Sequence, residues 1–159
     1  MKTGFSPPPC GYVNAQGNSN IYFVPVKAVC GFGGGSKMDE DEIADLVSAI
    51  QQGEYEVIKE ALQRRLVPPN VRDSQGCTLL HWAAINNRYS IANLLIDHGA
   101  DIGASGGMLD ENPLQWALRR KYYSMVDLLI RKGTWHNVLQ HRSKQGDNAL
   151  MLARKLGIY

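Results

Sequence analysis

The side chains that could do chemistry in this chain gather around two tryptophans 34 residues apart, Trp82 and Trp116. Two similar segments carry them: TLLHWA (78–83) and NPLQWA (112–117). Cys77 directly precedes the first segment, where a helix start can lower the pKa of a thiol, and His81 follows four residues later. Nothing else in the sequence supplies the third group that would orient such a pair. We therefore predict no catalytic site and no enzyme activity for this chain.

The histidines and cysteines also lack the spacing of a metal site or a disulfide framework. His136 and His141 are five residues apart, which does not place them on one face of a helix. The three cysteines are an odd count and contain no C-x-x-C pair, which favours a reducing compartment. The sequence predicts neither a metal nor a cofactor.

Charge and hydropathy argue against two further classes of partner. The formal net charge is only +2, and residues 38–159 contain 14 basic and 15 acidic residues, so nothing favours nucleic acid. No stretch approaches the ~18 apolar residues of a membrane span. The N-terminus lacks the apolar run of a signal peptide. We expect a cytoplasmic monomer without direct membrane contact.

A repeat with a period of 34 residues must position the two tryptophans. Tyr55, Tyr89 and Tyr123 recur at this interval. They lie in three alignable segments: QQGEYEVIKEAL (51–62), INNRYSIANLLI (85–96) and RRKYYSMVDLLI (119–130). A fixed period of this size is typical of stacked supersecondary units. Each unit is predicted to be a helix, a tight turn, a second helix and a loop.

Capping residues predict where these helices begin and end. Thr78 is placed to N-cap the first helix of the middle unit. Gly99 and Gly133 lie where second helices must end, and we expect both in the left-handed conformation that glycine adopts without steric cost.

The first 37 residues differ in composition from the rest. They contain 7 of the 16 glycines and 4 of the 7 prolines, which predicts a disordered N-terminal arm. Within it, the apolar stretch 21–29 has two interpretations. It is either a short strand or docking motif, or simply an unstructured part of the tail. The remainder is divided into four units: 38–69, 70–103, 104–139 and the partial unit 140–159.

The middle unit, CTLLHWAAINNRYSIANLLIDHGADI (77–102), resembles the ankyrin repeat, whose signature is T-P-L-H-x-A before a second helix and a G-A-D/N loop. The implied fold class is all-α, an ankyrin-repeat solenoid of about three and a half repeats. In this family, glycine is common between the two helices of a unit. This sequence has that glycine at Gly53, and Asn87 is the next best residue for a left-handed conformation. Lys121 departs from the pattern and predicts local strain.

A narrower resemblance is to the ankyrin region of the huntingtin-interacting DHHC palmitoyltransferases. It rests on WAAINNR (82–88), on the pair Gly106-Gly107 and on P-L-x-W-A (113–117). Gln115 departs from that family's histidine, and Lys121-Tyr122 replaces Gly-His. Beyond Gly133 the pattern drifts, and the fourth unit stops after its first helix. We expect the chain to be a fragment, the alternative being that its last helix serves as a cap.

The resemblance implies a binding site. In that family, the residues matching Asn86 and Trp116 hold an extended substrate segment of the Val-x-x-Gln-Pro type. Asparagine offers a donor and an acceptor to an unpaired peptide backbone, and proline packs well on an indole face. Since first helices of successive repeats line up, we expect Trp82 and Trp116 to be neighbours, and Trp82 is interpreted mainly as packing between repeats. Arg119 either flanks the groove or belongs to a solvated helix face.

Two functions remain open. The chain is either the substrate-recruiting ankyrin part of a protein S-acyltransferase, or a free-standing ankyrin adaptor or inhibitor with an unrelated protein partner. In the first case the resemblance implies the cytosolic face of Golgi or vesicle membranes. His81 is expected to hydrogen-bond loop backbone, as the histidine of this repeat usually does.

Overall fold

The computed structural model describes residues 38–158, apart from the side chain of Trp135. The predicted arm, 1–37, and Tyr159 lie outside the described residues. Within the described part there are seven α-helices: α1 (Glu40–Gln52), α2 (Tyr55–Gln63), α3 (Leu79–Ile85), α4 (Tyr89–Asp97), α5 (Pro113–Arg119), α6 (Tyr123–Lys132) and α7 (Ala149–Lys155). A π-helical turn, Trp135–Leu139, follows α6. This part of the chain contains isolated β-bridges but no strand, in agreement with the all-α prediction.

The helices form two stacked rows. The first helix of each unit (α1, α3, α5 and α7) packs against the first helix of the next, and α2, α4 and α6 form the second row behind them. Aliphatic side chains fill the space between the rows, and Leu80, Leu95 and Leu114 among them are fully buried. Neither row could bury its apolar face alone, so the units stabilise one another. The predicted ankyrin solenoid is confirmed.

Left-handed residues join the two helices of every complete repeat. Gly53, Asn87 and Lys121 have φ angles of 82°, 55° and 57°. They occupy the same turn at 34-residue intervals. The backbone at Lys121 therefore has the strained conformation that the sequence predicts.

A Lys121→Gly variant should be more stable than the wild-type chain by about 0.5–1 kcal/mol. Glycine relieves the left-handed strain, although its greater freedom in the unfolded chain offsets part of the gain. Urea unfolding followed by circular dichroism measures the difference. Asn87→Gly is the matched control and should change less, because asparagine tolerates this conformation better. A destabilised Lys121→Gly variant would refute the strain.

The ends of the second helices differ from one another. Gly99 has φ 91°, as predicted. The prediction for Gly133 is wrong, because its φ and ψ of −87° and 166° are extended. The following π-helical turn folds Val138 back towards α6. A Cβ at residue 133 would lie 2.4 Å from Val138 Cγ2 and 2.7 Å from the Leu129 carbonyl oxygen. Close approach is therefore what requires glycine here.

A tight turn precedes each of the helices α3, α5 and α7. We call these turns finger 2 (72–78), finger 3 (106–112) and finger 4 (142–148). The Arg72 guanidinium donates to the Gly76 carbonyl at 2.6 Å and to the Ser105 carbonyl at 2.7 Å, which joins finger 2 to the start of finger 3. A Cβ at Gly106 would lie 2.4 Å from the Gly76 oxygen. The two fingers therefore touch through their backbones.

Candidate functional site

Two buried polar side chains, His81 on α3 and Gln115 on α5, each connect their helix to the finger that follows it. Three residues after the N-cap Thr78, His81 accepts the Thr78 backbone N–H at Nδ1 (3.1 Å), so its proton lies on Nε2 and is donated to the Glu111 carbonyl (2.9 Å). Gln115 stands in the same relation to Asn112. Its Oε1 accepts the Asn112 N–H (3.0 Å), and its Nε2 donates to the Asp147 carbonyl (2.8 Å). Glutamine thus forms the bonds that histidine forms one repeat earlier.

His81 is held neutral by its surroundings. Desolvation by burial lowers its pKa to about 4, and the hydrogen bond to the Glu111 backbone opposes this only in part. The nearby charges of Arg72, Asp73 and Asp110 are smaller influences. The side chain is wholly inaccessible. Its role is the expected hydrogen bond to loop backbone.

Cys77 is also buried, at the start of α3. Desolvation by burial, followed by the nearby Asp73 carboxylate, raises the pKa of its thiol to about 11. A helix start could lower a thiol pKa, but burial dominates here. The thiol is therefore protonated at neutral pH and is a poor nucleophile.

The two tryptophans meet between repeats two and three, as their spacing predicts. The Trp82 and Trp116 rings are 6.0 Å apart between centroids at an interplanar angle of 85°. The His81 ring packs against Trp116 at 5.1 Å in a similar edge-on arrangement. Both indoles are half-buried, so each packs on its neighbours and keeps some surface accessible.

The indole N–H groups of the two tryptophans differ. Trp82 Nε1 donates to the Asp73 carboxylate at 2.9 Å. Among the hydrogen bonds of residues 38–158, none engages Trp116 Nε1. That atom is also absent from the fully buried unpaired groups of this part of the chain, so it retains access to solvent. The indole N–H of Trp82 is thus engaged within the chain, whereas that of Trp116 remains available as a donor.

Asn86 is the C-cap of α3, one helical turn after Trp82. Its Nδ2 donates to the Trp82 carbonyl at 2.8 Å, and the side chain is half-buried. This bond fixes the carboxamide orientation. The hydrogen bonds of the described residues do not join Asn86 to Trp116 directly.

Arg119 forms an ion pair that the sequence did not predict. Its guanidinium binds both oxygens of Glu111, at 2.6 to 3.0 Å. The Glu111 side chain is only 3% exposed, whereas that of Arg119 is 36% exposed. Hydrogen bonding to Glu111 raises the pKa of Arg119. The pair fixes finger 3 to the end of α5. Its only sequence signal is an acid directly before the N-cap Asn112.

An open cavity of about 410 Å³ lies elsewhere, beside the π-helical turn. Its lining is polar: Asp101, Gly103, His136, Asn137, Gln140 and His141. His141 is engaged with the Asp110 carbonyl at 2.6 Å, and His136 with Gln140 at 3.1 Å. Within residues 38–158, no three or more His, Cys, Asp or Glu side chains are placed to hold a metal ion. Neither tryptophan lines this cavity.

In residues 38–158, every helix is too short or too polar to cross a membrane.

Comparison with known families and proteins identifies relatives. Residues 26–106, about half of the chain, match the family described as ankyrin repeats in three copies. Palmitoyltransferase ZDHHC17 of Homo sapiens is 40% identical over 98 residues, which cover 60% of this chain and 15% of that protein. Palmitoyltransferase ZDHHC13 of Homo sapiens is 38% identical over 98 residues, with the same coverage. ZDHHC17 of Danio rerio is 39% identical over 100 residues, 62% of this chain and 16% of that protein.

These matches confirm the resemblance inferred from the residues around the two tryptophans. The chain spans about a sixth of the length of these relatives. The similarity lies in their ankyrin region.

Proposed function

Because the chain belongs to the ankyrin repeat family, we propose that it recruits partner proteins through an extended, proline-containing segment of the Val-x-x-Gln-Pro type. The segment lies between repeats two and three, with Asn86 and Trp116 as its main contacts. The observation that carries this proposal is the indole of Trp116, half-buried and with no intramolecular acceptor among residues 38–158. A half-buried tryptophan whose N–H is unengaged is typical of a binding surface.

Each side chain in the proposed site has a distinct part. The Trp116 face receives the proline ring, which has no N–H and needs no donor partner there. Asn86, already oriented by the Trp82 carbonyl, offers its Oδ1 to a backbone N–H of the segment. Trp82 supports Trp116 edge-on, and Arg119 flanks the groove while it holds Glu111 in place.

The proposal also connects this chain to protein S-acylation. Similarity to the ankyrin region of palmitoyltransferases supports a role as the substrate-recruiting part of a protein S-acyltransferase. In that setting, the module lies on the cytosolic face of Golgi or vesicle membranes. The segment it binds belongs to proteins that are to be acylated.

Titration with a synthetic Val-x-x-Gln-Pro peptide tests the proposal, with calorimetry as the readout. We expect saturable binding that weakens roughly 30-fold in Trp116→Ala, the loss typical of a buried aromatic anchor. Asn86→Ala should weaken it by about tenfold through a lost backbone hydrogen bond. Arg120→Ala is the control, since this exposed residue is adjacent to the site residue Arg119.

Circular dichroism must show that each variant is folded. A folded wild-type chain that does not bind the peptide would contradict the recruitment role. The remaining function would then be that of an ankyrin adaptor or inhibitor with an unrelated protein partner.

A further inference from the structure

We propose that Gly107 and Met108, at the tip of finger 3, determine which segments bind at Trp116. Gly107 leaves the Trp116 N–H available for a backbone carbonyl of the partner, and Met108 covers the residue that lies on the indole. This inference rests on the proposed function and adds the chemistry that selects the partner.

Fingers 2 and 3 have different residues at the position nearest to their tryptophans. Gly107 follows Asp73 by 34 residues, as Trp116 follows Trp82. The two residues occupy the same place in their turns, because the Gly76 N–H donates to the Asp73 carbonyl (2.9 Å) and the Asp110 N–H donates to the Gly107 carbonyl (3.1 Å). Both residues therefore accept the hydrogen bond that closes the turn, but their backbones differ. Gly107 is left-handed and Asp73 is not.

Asp73 has two functions that Gly107 lacks. Its Oδ1 accepts the backbone N–H groups of Gln75 and Cys77, which stabilises the turn. Its Oδ2 accepts the Trp82 indole N–H. With no side chain at residue 107, the Trp116 N–H loses the acceptor that its counterpart has. An indole donor at a binding surface then needs an acceptor from the partner.

The space beside Trp116 depends on the same glycine. A Cβ at residue 107 would lie 3.1 Å from Trp116 Cζ2, tighter than ordinary contact. Gly107 also has a φ of +75°, which glycine adopts without strain. The finger therefore lies close to the Cζ2–Cη2 edge of the indole, yet it offers the indole N–H no acceptor.

Met108 is the most exposed large apolar side chain of the described residues, at 87%. It directly follows Gly107, which lies beside the edge of Trp116. Finger 2 has Ser74 at this position. Methionine adapts to irregular apolar surfaces and packs well against rings. An apolar residue bound on Trp116 would give Met108 the contact that the free chain lacks.

Residues taken from finger 2 provide the test. Met108→Ser should weaken binding of the Val-x-x-Gln-Pro peptide by about three- to fivefold, since one apolar contact is lost. Gly107→Asp should weaken it by about tenfold, because the new carboxylate competes for the indole N–H. Gly107→Ala adds a Cβ without an acceptor and should weaken binding less than aspartate. Ser74→Met, the reverse exchange in finger 2, should leave affinity unchanged.

The tryptophan indole N–H signals in NMR give a second readout that needs no peptide. In the wild-type chain, the Trp116 signal should exchange with water faster than that of Trp82. Gly107→Asp should slow the exchange at Trp116 and leave Trp82 unaffected. Signals are assigned with Trp→Phe variants, and thermal unfolding verifies that each variant is folded.

The outcomes separate the two proposals. Peptide binding that is lost in Trp116→Ala but unchanged in both Gly107→Asp and Met108→Ser would overturn the role of finger 3 and keep the recruitment function. Slow exchange at Trp116 in the free wild-type chain would also overturn it. Failure of the folded wild-type chain to bind would refute both.

Discussion

An Arg119→Ala variant should lose about 3 kcal/mol of unfolding free energy, although the replaced side chain is one-third exposed. The loss comes from its partner. Glu111 is almost fully buried, and its carboxylate would be left without the partner that it has in the wild-type chain. Truncating one member of a buried pair costs more than the pair itself contributes, because the remaining charge is desolvated and unpaired.

Urea unfolding, followed by circular dichroism, measures this loss. Arg120→Ala, one residue further along and exposed, should change stability by no more than about 0.5 kcal/mol. Glu111→Gln in the Arg119→Ala background should recover part of the loss, since it removes the buried charge. Equal stability of Arg119→Ala and Arg120→Ala would show that the ion pair is not important. The stability result must precede any interpretation of Arg119 in peptide binding.

His81 should make the stability of the chain fall by about 2 kcal/mol between pH 7 and pH 4.5. In the folded chain its pKa is about 4, and in the unfolded chain it returns to the ordinary value of 6.5. Between these two values the unfolded chain binds a proton that the folded chain does not. Lowering the pH through this window therefore favours unfolding, whereas above pH 7 the contribution is constant.

His81→Gln isolates this contribution. Gln115 forms the equivalent bonds in the next repeat, so glutamine fits the position and does not titrate. Unfolding free energies of the wild type and the variant, measured from pH 7 to pH 4.5, should diverge as the pH falls. His136→Gln changes an exposed histidine and should follow the wild type. Parallel curves for His81→Gln and the wild type would rule out burial of a neutral His81.

Periodicity was sufficient to predict the fold. The 34-residue spacing of aromatic and aliphatic residues located both rows of helices, and the turn residues between them indicated where the backbone is left-handed. The same spacing predicted that Trp82 and Trp116 would meet. These features depend on local geometry repeated along the chain, which a single sequence displays directly.

The features missed by the sequence reasoning depend on the path of the chain between repeats. Glu111 and Arg119 are eight residues apart and pair only because finger 3 folds back over the end of α5. Gln115 is a departure from the family in sequence, yet its hydrogen bonds match those of His81. Gly133 is required by the approach of Val138, which no local pattern indicates.

The hydrogen bonds from His81 and Gln115 to the following fingers have a consequence for cooperativity. Each donor is completely buried and has its acceptor in the next repeat. If that repeat opens, its N-terminal neighbour is left with a buried unsatisfied donor, at a cost of about 1–3 kcal/mol. In the language of a one-dimensional Ising chain, this is a nearest-neighbour coupling. It discourages one repeat from melting alone and ties repeats two and three, which share Trp82 and Trp116, into one opening unit.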